Sequence, residues 1–93
     1  MIETFKDKET EKVFNGYFSK KLPVDIQRTA RRRLRTIHRA EKLATIVEIG
    51  GNQFEKLRGN REGQYSIRIN DQFRICFEWE NGNAYNVELT DYH

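Results

Sequence analysis

Cysteine is nearly missing from this chain of 93 residues: Cys76 stands alone, which excludes an intramolecular disulfide framework and any zinc cluster built on several thiolates. A reducing compartment, the cytoplasm, is the simpler expectation. Proline is equally scarce, and the one present, Pro23, separates two segments of different pattern rather than two domains. Long apolar runs are absent too, so no membrane span can be drawn. The opening Met1-Ile2-Glu3-Thr4-Phe5 turns polar too early for a signal peptide. There is no repeat or low-complexity tract, and the length suits one domain over residues 1–93. A domain this small buries only roughly 60–65% of the surface its unfolded chain exposes, which leaves little core to enclose a deep pocket. Chemistry is therefore expected on an open face.

What the chain has in quantity is arginine in particular places. Lys and Arg number 17 against 14 Asp and Glu, a net charge of +3, with a pI near 9.2, compatible with an anionic partner. Six of these cations form the run Arg28, Arg31, Arg32, Arg33, Arg35 and Arg39, and a further pair is Arg68 and Arg74.

The opening residues 2–5 can form a short strand. After Asp7, an N-cap type, Thr10, Val13, Phe14, Tyr17 and Phe18 recur at helical spacing, which predicts a helix to about Phe18. Pro23 suits the first turn of a second helix, whose apolar stripe is Ile26, Ala30, Leu34 and Ile37, with the arginines on the rest of its circumference. Residues 43–52 are ambiguous, and Gly50-Gly51-Asn52 marks a loop. From Phe54 the period changes to two. The sets Tyr65, Ile67, Ile69, then Phe73, Ile75, Phe77, Trp79, then Tyr85, Val87, Leu89 read as three consecutive antiparallel strands, with another near 54–57. Asn70-Asp71-Gln72 and Asn81-Gly82-Asn83 supply the turns. The expected fold class is α+β, an N-terminal short strand and two helices packed on one face of an antiparallel β-meander. The opposite face then carries Ser66, Arg68, Arg74, Cys76, Glu78, Asn86 and Glu88.

Arg68 and Arg74 thus project from neighbouring strands onto one uncovered face. Their planar forks suit phosphate oxygens, and the alternative is simple pairing with Glu78 or Glu88. Arg58 and Arg61 lie in a glycine-punctuated loop where side chains can reach a ligand, although Arg61 can equally brace the loop against Glu62 or another acidic neighbour. His93 titrates near neutrality when unperturbed and suits proton transfer; the competing expectation is a frayed terminus. Tyr92 offers a stacking face and a hydroxyl, and Asp91 can orient a neighbour or cap the strand. His38, beside Ile37 on the second helix, reads as structural. Phe73, Phe77 and Trp79 alternate as core residues, and Cys76 as a passive strand thiol.

The segment Leu57-Arg58-Gly59-Asn60-Arg61-Glu62-Gly63-Gln64-Tyr65-Ser66-Ile67-Arg68-Ile69-Asn70-Asp71-Gln72-Phe73-Arg74-Ile75-Cys76-Phe77 resembles the central signature of HigB-like toxins, the plasmid-maintenance-killer branch of the RelE/ParE superfamily. The resemblance continues through Val87-Glu88-Leu89 to Asp91-Tyr92-His93. It implies a RelE-like fold and a type II toxin that cuts mRNA on the ribosome without a metal or organic cofactor. It also implies a HigA-like helix-turn-helix antitoxin, with operator DNA reached only through the toxin–antitoxin complex. Metal-free cleavage uses the RNA 2′-hydroxyl as nucleophile, so it needs a base, cations on the phosphate and an acid at the leaving oxygen. The resemblance gives these parts to Arg74, His93, Tyr92 and Asp91 as catalytic residues and to Arg58, Arg61 and Arg68 as RNA-binding residues. Some relatives carry a histidine where this chain has Glu55, so Glu55 joins the candidate proton acceptors. The arginine run of the second helix is open to ribosomal RNA, to the antitoxin, or to solvent alone. A ParE-like gyrase inhibitor, acting by protein binding on the same fold, is the competing function.

Overall fold

A computed structural model describes residues 1–91, and the candidates Tyr92 and His93 lie outside the described residues. The elements run α1 (Lys8–Phe14), α2 (Val24–Arg39), α3 (Leu43–Gly50), β1 (Phe54–Lys56), β2 (Gln64–Arg68), β3 (Phe73–Glu80) and β4 (Asn83–Asp91), with short 3-10 turns at Gly51–Gln53 and Gly59–Arg61. The four strands form one antiparallel sheet in the order β1-β2-β3-β4.

Helix α1 begins where expected, because the Asp7 carboxylate accepts the Thr10 N–H at 2.7 Å. It stops at Phe14, short of Phe18. The chain leaves the helical region at Gly16, whose φ is +88°, and Tyr17 and Phe18 are exposed. Polar contacts pin the connection to α2 instead: the buried Ser19 donates to Glu9 at 2.5 Å, and the Gln27 amide donates to the carbonyls of Ser19 and Leu22. That Ser19 bond is the main cause holding the Glu9 carboxyl below its ordinary value.

Helix α2 buries the predicted stripe Ile26, Ala30, Leu34 and Ile37. A third helix, α3, occupies the ambiguous segment and buries Ile46. The expectation of two helices is therefore one short. The core gathers Val13, Ala30, Leu34, Ile37 and Ile46 from the helices and Ile67, Ile75, Phe77 and Val87 from one face of the sheet. Phe73 is buried and Trp79 packs against the same cluster, as their alternation requires. The N-terminal residues do not form a strand of the sheet proper. They run parallel to β4 through two bridges, Ile2 to Ala84 and Phe5 to Val87.

The hairpin between β3 and β4 closes through Asn81 and Gly82 at φ +51° and +82°, the two left-handed residues of a tight hairpin turn. Beyond it the register slips between Cys76 and Glu78, and Asn86 takes φ +51° as the extra residue of a β-bulge. The bulge corrects one expectation. Tyr85 pairs with Glu78 on the face away from the helices, while Ala84 takes the core-facing place beside Val87 and Leu89.

Candidate active site

The face of the sheet turned away from the helices is ordered by its register. One row crosses all four strands as Glu55, Ser66, Cys76 and Glu88, and the next crosses three as Arg68, Arg74 and Thr90. The middle of the first row is made of small side chains, so the sheet surface dips between its two carboxylates. Ser66 and Cys76 are buried, although alternation alone leaves them exposed. Charged neighbours lie over them. Burial pushes the Cys76 thiol up, against a hydrogen bond from Thr90 and the nearby guanidinium groups of Arg61 and Arg74, so it stays a neutral, unreactive thiol.

Arg68 and Arg74 stand directly opposite each other on β2 and β3. Like charges in that position repel, and the fold answers with separate acids. Arg68 pairs with Asp71 and donates to the Asn70 carbonyl at 3.2 Å, both in the turn it adjoins. Arg74 lies 3.8 Å from Glu55 and donates to the Ser66 hydroxyl at 3.4 Å. The two arginines differ in freedom. The Arg74 side chain is 15% exposed and that of Arg68 50%, so Arg74 is the enclosed cation and Arg68 the more open one. Together with Glu55, Ser66, Asn52 and Gln53 they line a shallow depression of about 80 Å³. It has room for a phosphate-sized group rather than a base.

Arg61 reaches the same face from the Gly59–Arg61 turn. Its guanidinium lies 3.5 Å from the Glu88 carboxylate and donates to the Gln64 amide oxygen at 3.0 Å. Lys6 approaches the same carboxylate at 3.1 Å. Neither cation makes an aligned hydrogen bond to the buried Glu88 Oε2. The brace expected for Arg61 is made with an acidic neighbour, Glu88, and Arg68 pairs with Asp71 rather than with Glu78 or Glu88. Arg58 is exposed at the start of the turn.

Asp91 ends β4 opposite Phe73, whereas Arg74 sits opposite Thr90. Successive residues of a strand point to opposite faces, so Asp91 does not share the Arg74 face; its carboxylate accepts from Gln72 at 3.1 Å. The structure therefore brings together Glu55, Arg61, Arg68 and Arg74 and places Asp91 at the adjoining strand end. Sequence reasoning placed Ser66 and Glu88 on this face without giving Ser66 a part in the site, and it missed Asn52 and Gln53. The polar pair Asn52-Gln53, directly ahead of a strand, was the only local signal for them. His38 is structural: its Nδ1 accepts the Ile2 N–H at 3.1 Å and its ring meets Phe14. Among the described residues no group of three His, Cys, Asp or Glu side chains could hold a metal ion, and no helix is long and apolar enough to cross a membrane.

Residues 3–93 match the family model of HigB-like toxins, described as the RelE-like toxin of the type II toxin–antitoxin system HigB. The chain belongs to this family. Helices packed against a four-stranded antiparallel sheet are the α+β arrangement expected of its RelE-like fold. Among curated HigB relatives, the chain is 36% identical to Toxin HigB-1 of Vibrio cholerae serotype O1 over 90 residues, 96% of this chain and 95% of that one. It is 33% identical over 99 residues to Endoribonuclease HigB of Proteus vulgaris, covering both chains in full. An uncharacterized protein of Haemophilus influenzae is 27% identical over 88 residues, 94% of this chain and 87% of that one. As a HigB-like toxin it is one half of a type II pair whose other half is an antitoxin.

Proposed function

We propose that this HigB-like toxin is an endoribonuclease that cuts mRNA on the ribosome, acting in the cytoplasm as a single domain over residues 1–93. Full-length similarity to a protein named as an endoribonuclease supports the activity, and no observation favours the gyrase-binding alternative. The observation that carries the reading is the opposed pair Arg68 and Arg74 beside a phosphate-sized depression with a carboxylate, Glu55, at its rim.

RNA brings its own nucleophile, so the protein need only move two protons and hold charge. In the proposed reaction a base takes the proton of the 2′-hydroxyl, the 2′-oxygen bonds to the adjacent phosphorus, and the bond from phosphorus to the 5′-oxygen breaks. That oxygen takes a proton from an acid. No metal or organic cofactor enters this balance. Arg74, fixed by Glu55 and Ser66, stabilises the charge that grows on the phosphoryl oxygens, and Arg68 swings in from its turn. Arg58 and Arg61 hold the flanking backbone. Glu55 and His93 are the groups that move protons, Asp91 orients a neighbour from the adjoining strand end, and Tyr92 stacks on a base. The partner that silences the enzyme is a HigA-like helix-turn-helix antitoxin, through which the complex binds operator DNA.

End-group analysis of message cut during in vitro translation tests the proposal. A 2′,3′-cyclic phosphate on one fragment and a 5′-hydroxyl on the other are expected, while intact message overturns it.

A further inference from the structure

One carboxylate on the outer face of the sheet has no part in the chemistry proposed above. Glu88 ends the row that begins at Glu55, and the two acids are held differently. Glu55 stands in solvent, whereas the Glu88 side chain is 13% exposed. Its Oε1 accepts the Thr90 hydroxyl at 3.0 Å, and its Oε2 is shielded from solvent. The two cations on Glu88 arrive from opposite sides of β4. Lys6 belongs to the N-terminal segment beyond that edge strand, where its N–H donates to the Val87 carbonyl at 2.9 Å. Arg61 comes over the sheet from the turn between β1 and β2.

As a device for stability this arrangement is poor. Taking a carboxylate out of water is costly, and an ion pair offsets the cost only where aligned hydrogen bonds satisfy the oxygens. Oε2 has no such bond. What the carboxylate does achieve is placement. The Gly59–Arg61 turn has no side-chain cap of its own, so the Arg61 guanidinium takes its position from Glu88 and from the Gln64 amide oxygen. Without the carboxylate, Lys6 and Arg61 repel each other and part. With it, the cluster keeps one positive charge in excess, and both cations stay partly open to solvent.

This cluster adjoins the Arg74 depression. Glu88 lies opposite Cys76, two residues along β3 from Arg74; one strand across and two residues along is roughly 8 Å. The Cys76 thiol feels both Arg61 and Arg74, so the two guanidinium groups share one stretch of surface. An extended RNA strand with one phosphate on Arg74 can bring its neighbouring phosphate to Arg61.

We propose that Glu88 is a positioning residue of the RNA site: by drawing Arg61 and Lys6 together it builds a second subsite, which takes the backbone phosphate next to the one held by Arg74. The inference deepens the proposed function and rests on it. Glu88 acts only through its two cations. The sign of its effect separates placement from mere neutralisation. A carboxylate that only cancels charge weakens the hold on an anionic strand, so its removal tightens binding; a carboxylate that places the cations does the opposite.

The test compares wild type with Glu88→Gln, Glu88→Asp, Arg61→Gln and the Glu88→Gln, Arg61→Gln double variant. Binding of a 2′-O-methyl oligoribonucleotide, whose capped nucleophile prevents cutting, is read by fluorescence anisotropy. Cleavage of message on ribosomes gives kcat and KM, and melting is followed throughout. Glu88→Gln is expected to bind about tenfold more weakly and to raise KM by a similar factor although the face has gained positive charge. Its kcat should stay within about threefold of wild type, because binding rather than the chemical step is lost. Aspartate should recover part of the loss, and the double variant should lose clearly less than the product of the two single losses. Equal or tighter binding by Glu88→Gln at wild-type melting overturns the proposal, and so do losses that simply multiply. A loss that follows lowered melting, with aspartate no better than glutamine, assigns Glu88 to the fold alone and overturns it too. Wild type that binds the oligoribonucleotide but leaves translated message intact removes the endoribonuclease reading, while the binding comparison still decides the subsite.

Discussion

Arg74 is the residue on which the proposed chemistry turns, and its surroundings predict how it should fail. Alanine removes both the charge and the fork, and cleavage is expected to fall more than tenfold; lysine keeps the charge alone and should recover only part. Arg68→Ala should cost less, because that side chain is half exposed and already engaged by its turn. Rates on translated message, with melting temperatures measured alongside, check this ordering. Full activity of Arg74→Ala at unchanged melting contradicts the phosphate role. The outward placement of both arginines was legible from alternation, since parity on a strand needs only local sequence. Their partners were not. Asp71 and Glu55 are chosen by turn geometry and by the β1–β2 register, and Glu88 meets Arg61 from a strand far along the chain.

At the level of elements, two local devices hold the frame, and each carries a prediction. Asn86 occupies left-handed backbone and donates to Glu78 at 3.0 Å. Asn86→Val should cost about 1–2 kcal/mol from the backbone alone, and Asn86→Gly should cost less; denaturant melts of the two variants decide. This bulge also explains why Tyr85 was placed on the wrong face: an extra residue inverts parity, and nothing in a run of alternating residues marks where it falls. The second device ties the N-terminus to α2 through the neutral His38 ring. Burial first, then the N-terminal amine, Arg35 and Arg39, hold its pKa below 6.5, with Glu3 opposing. The unfolded chain therefore binds the extra proton more readily, so this stability is complete above pH 6.5 and is lost as pH falls through the depressed value. Melting temperature should drop in that window for wild type and less for His38→Gln, which keeps an acceptor but does not titrate. Glu9, also depressed, adds its loss only below 4.5. An equal acid loss in both proteins rules His38 out as its source. Helix α2 was legible because its stripe and arginines repeat cleanly. Helix α3 was not, because Leu43–Gly50 is apolar nearly all round, with Val47 and Ile49 left exposed.

Over the whole molecule, helices cover one face of the sheet and leave the other open, and the small core predicted that chemistry would sit on such a face. There the enzyme presents fixed cations and a carboxylate without an enclosed pocket, so little in the toxin itself aligns a 2′-hydroxyl with its phosphorus. Under the proposed function the ribosome supplies that alignment, which can be worth several kcal/mol. Cleavage should depend on the chain end as well. Deleting Tyr92 and His93 should abolish most cleavage while leaving melting nearly unchanged, because the buried set of β4 is complete at Leu89. Wild-type cleavage by the deletion variant moves the chemistry to Glu55 and the arginines. The most direct test of the central claim is the cleavage rate of one message, followed by primer extension, with and without translating ribosomes. Strong internal cuts on translated message and weak cutting of the same RNA free in solution are predicted; equal rates in the two conditions contradict a ribosome-dependent toxin.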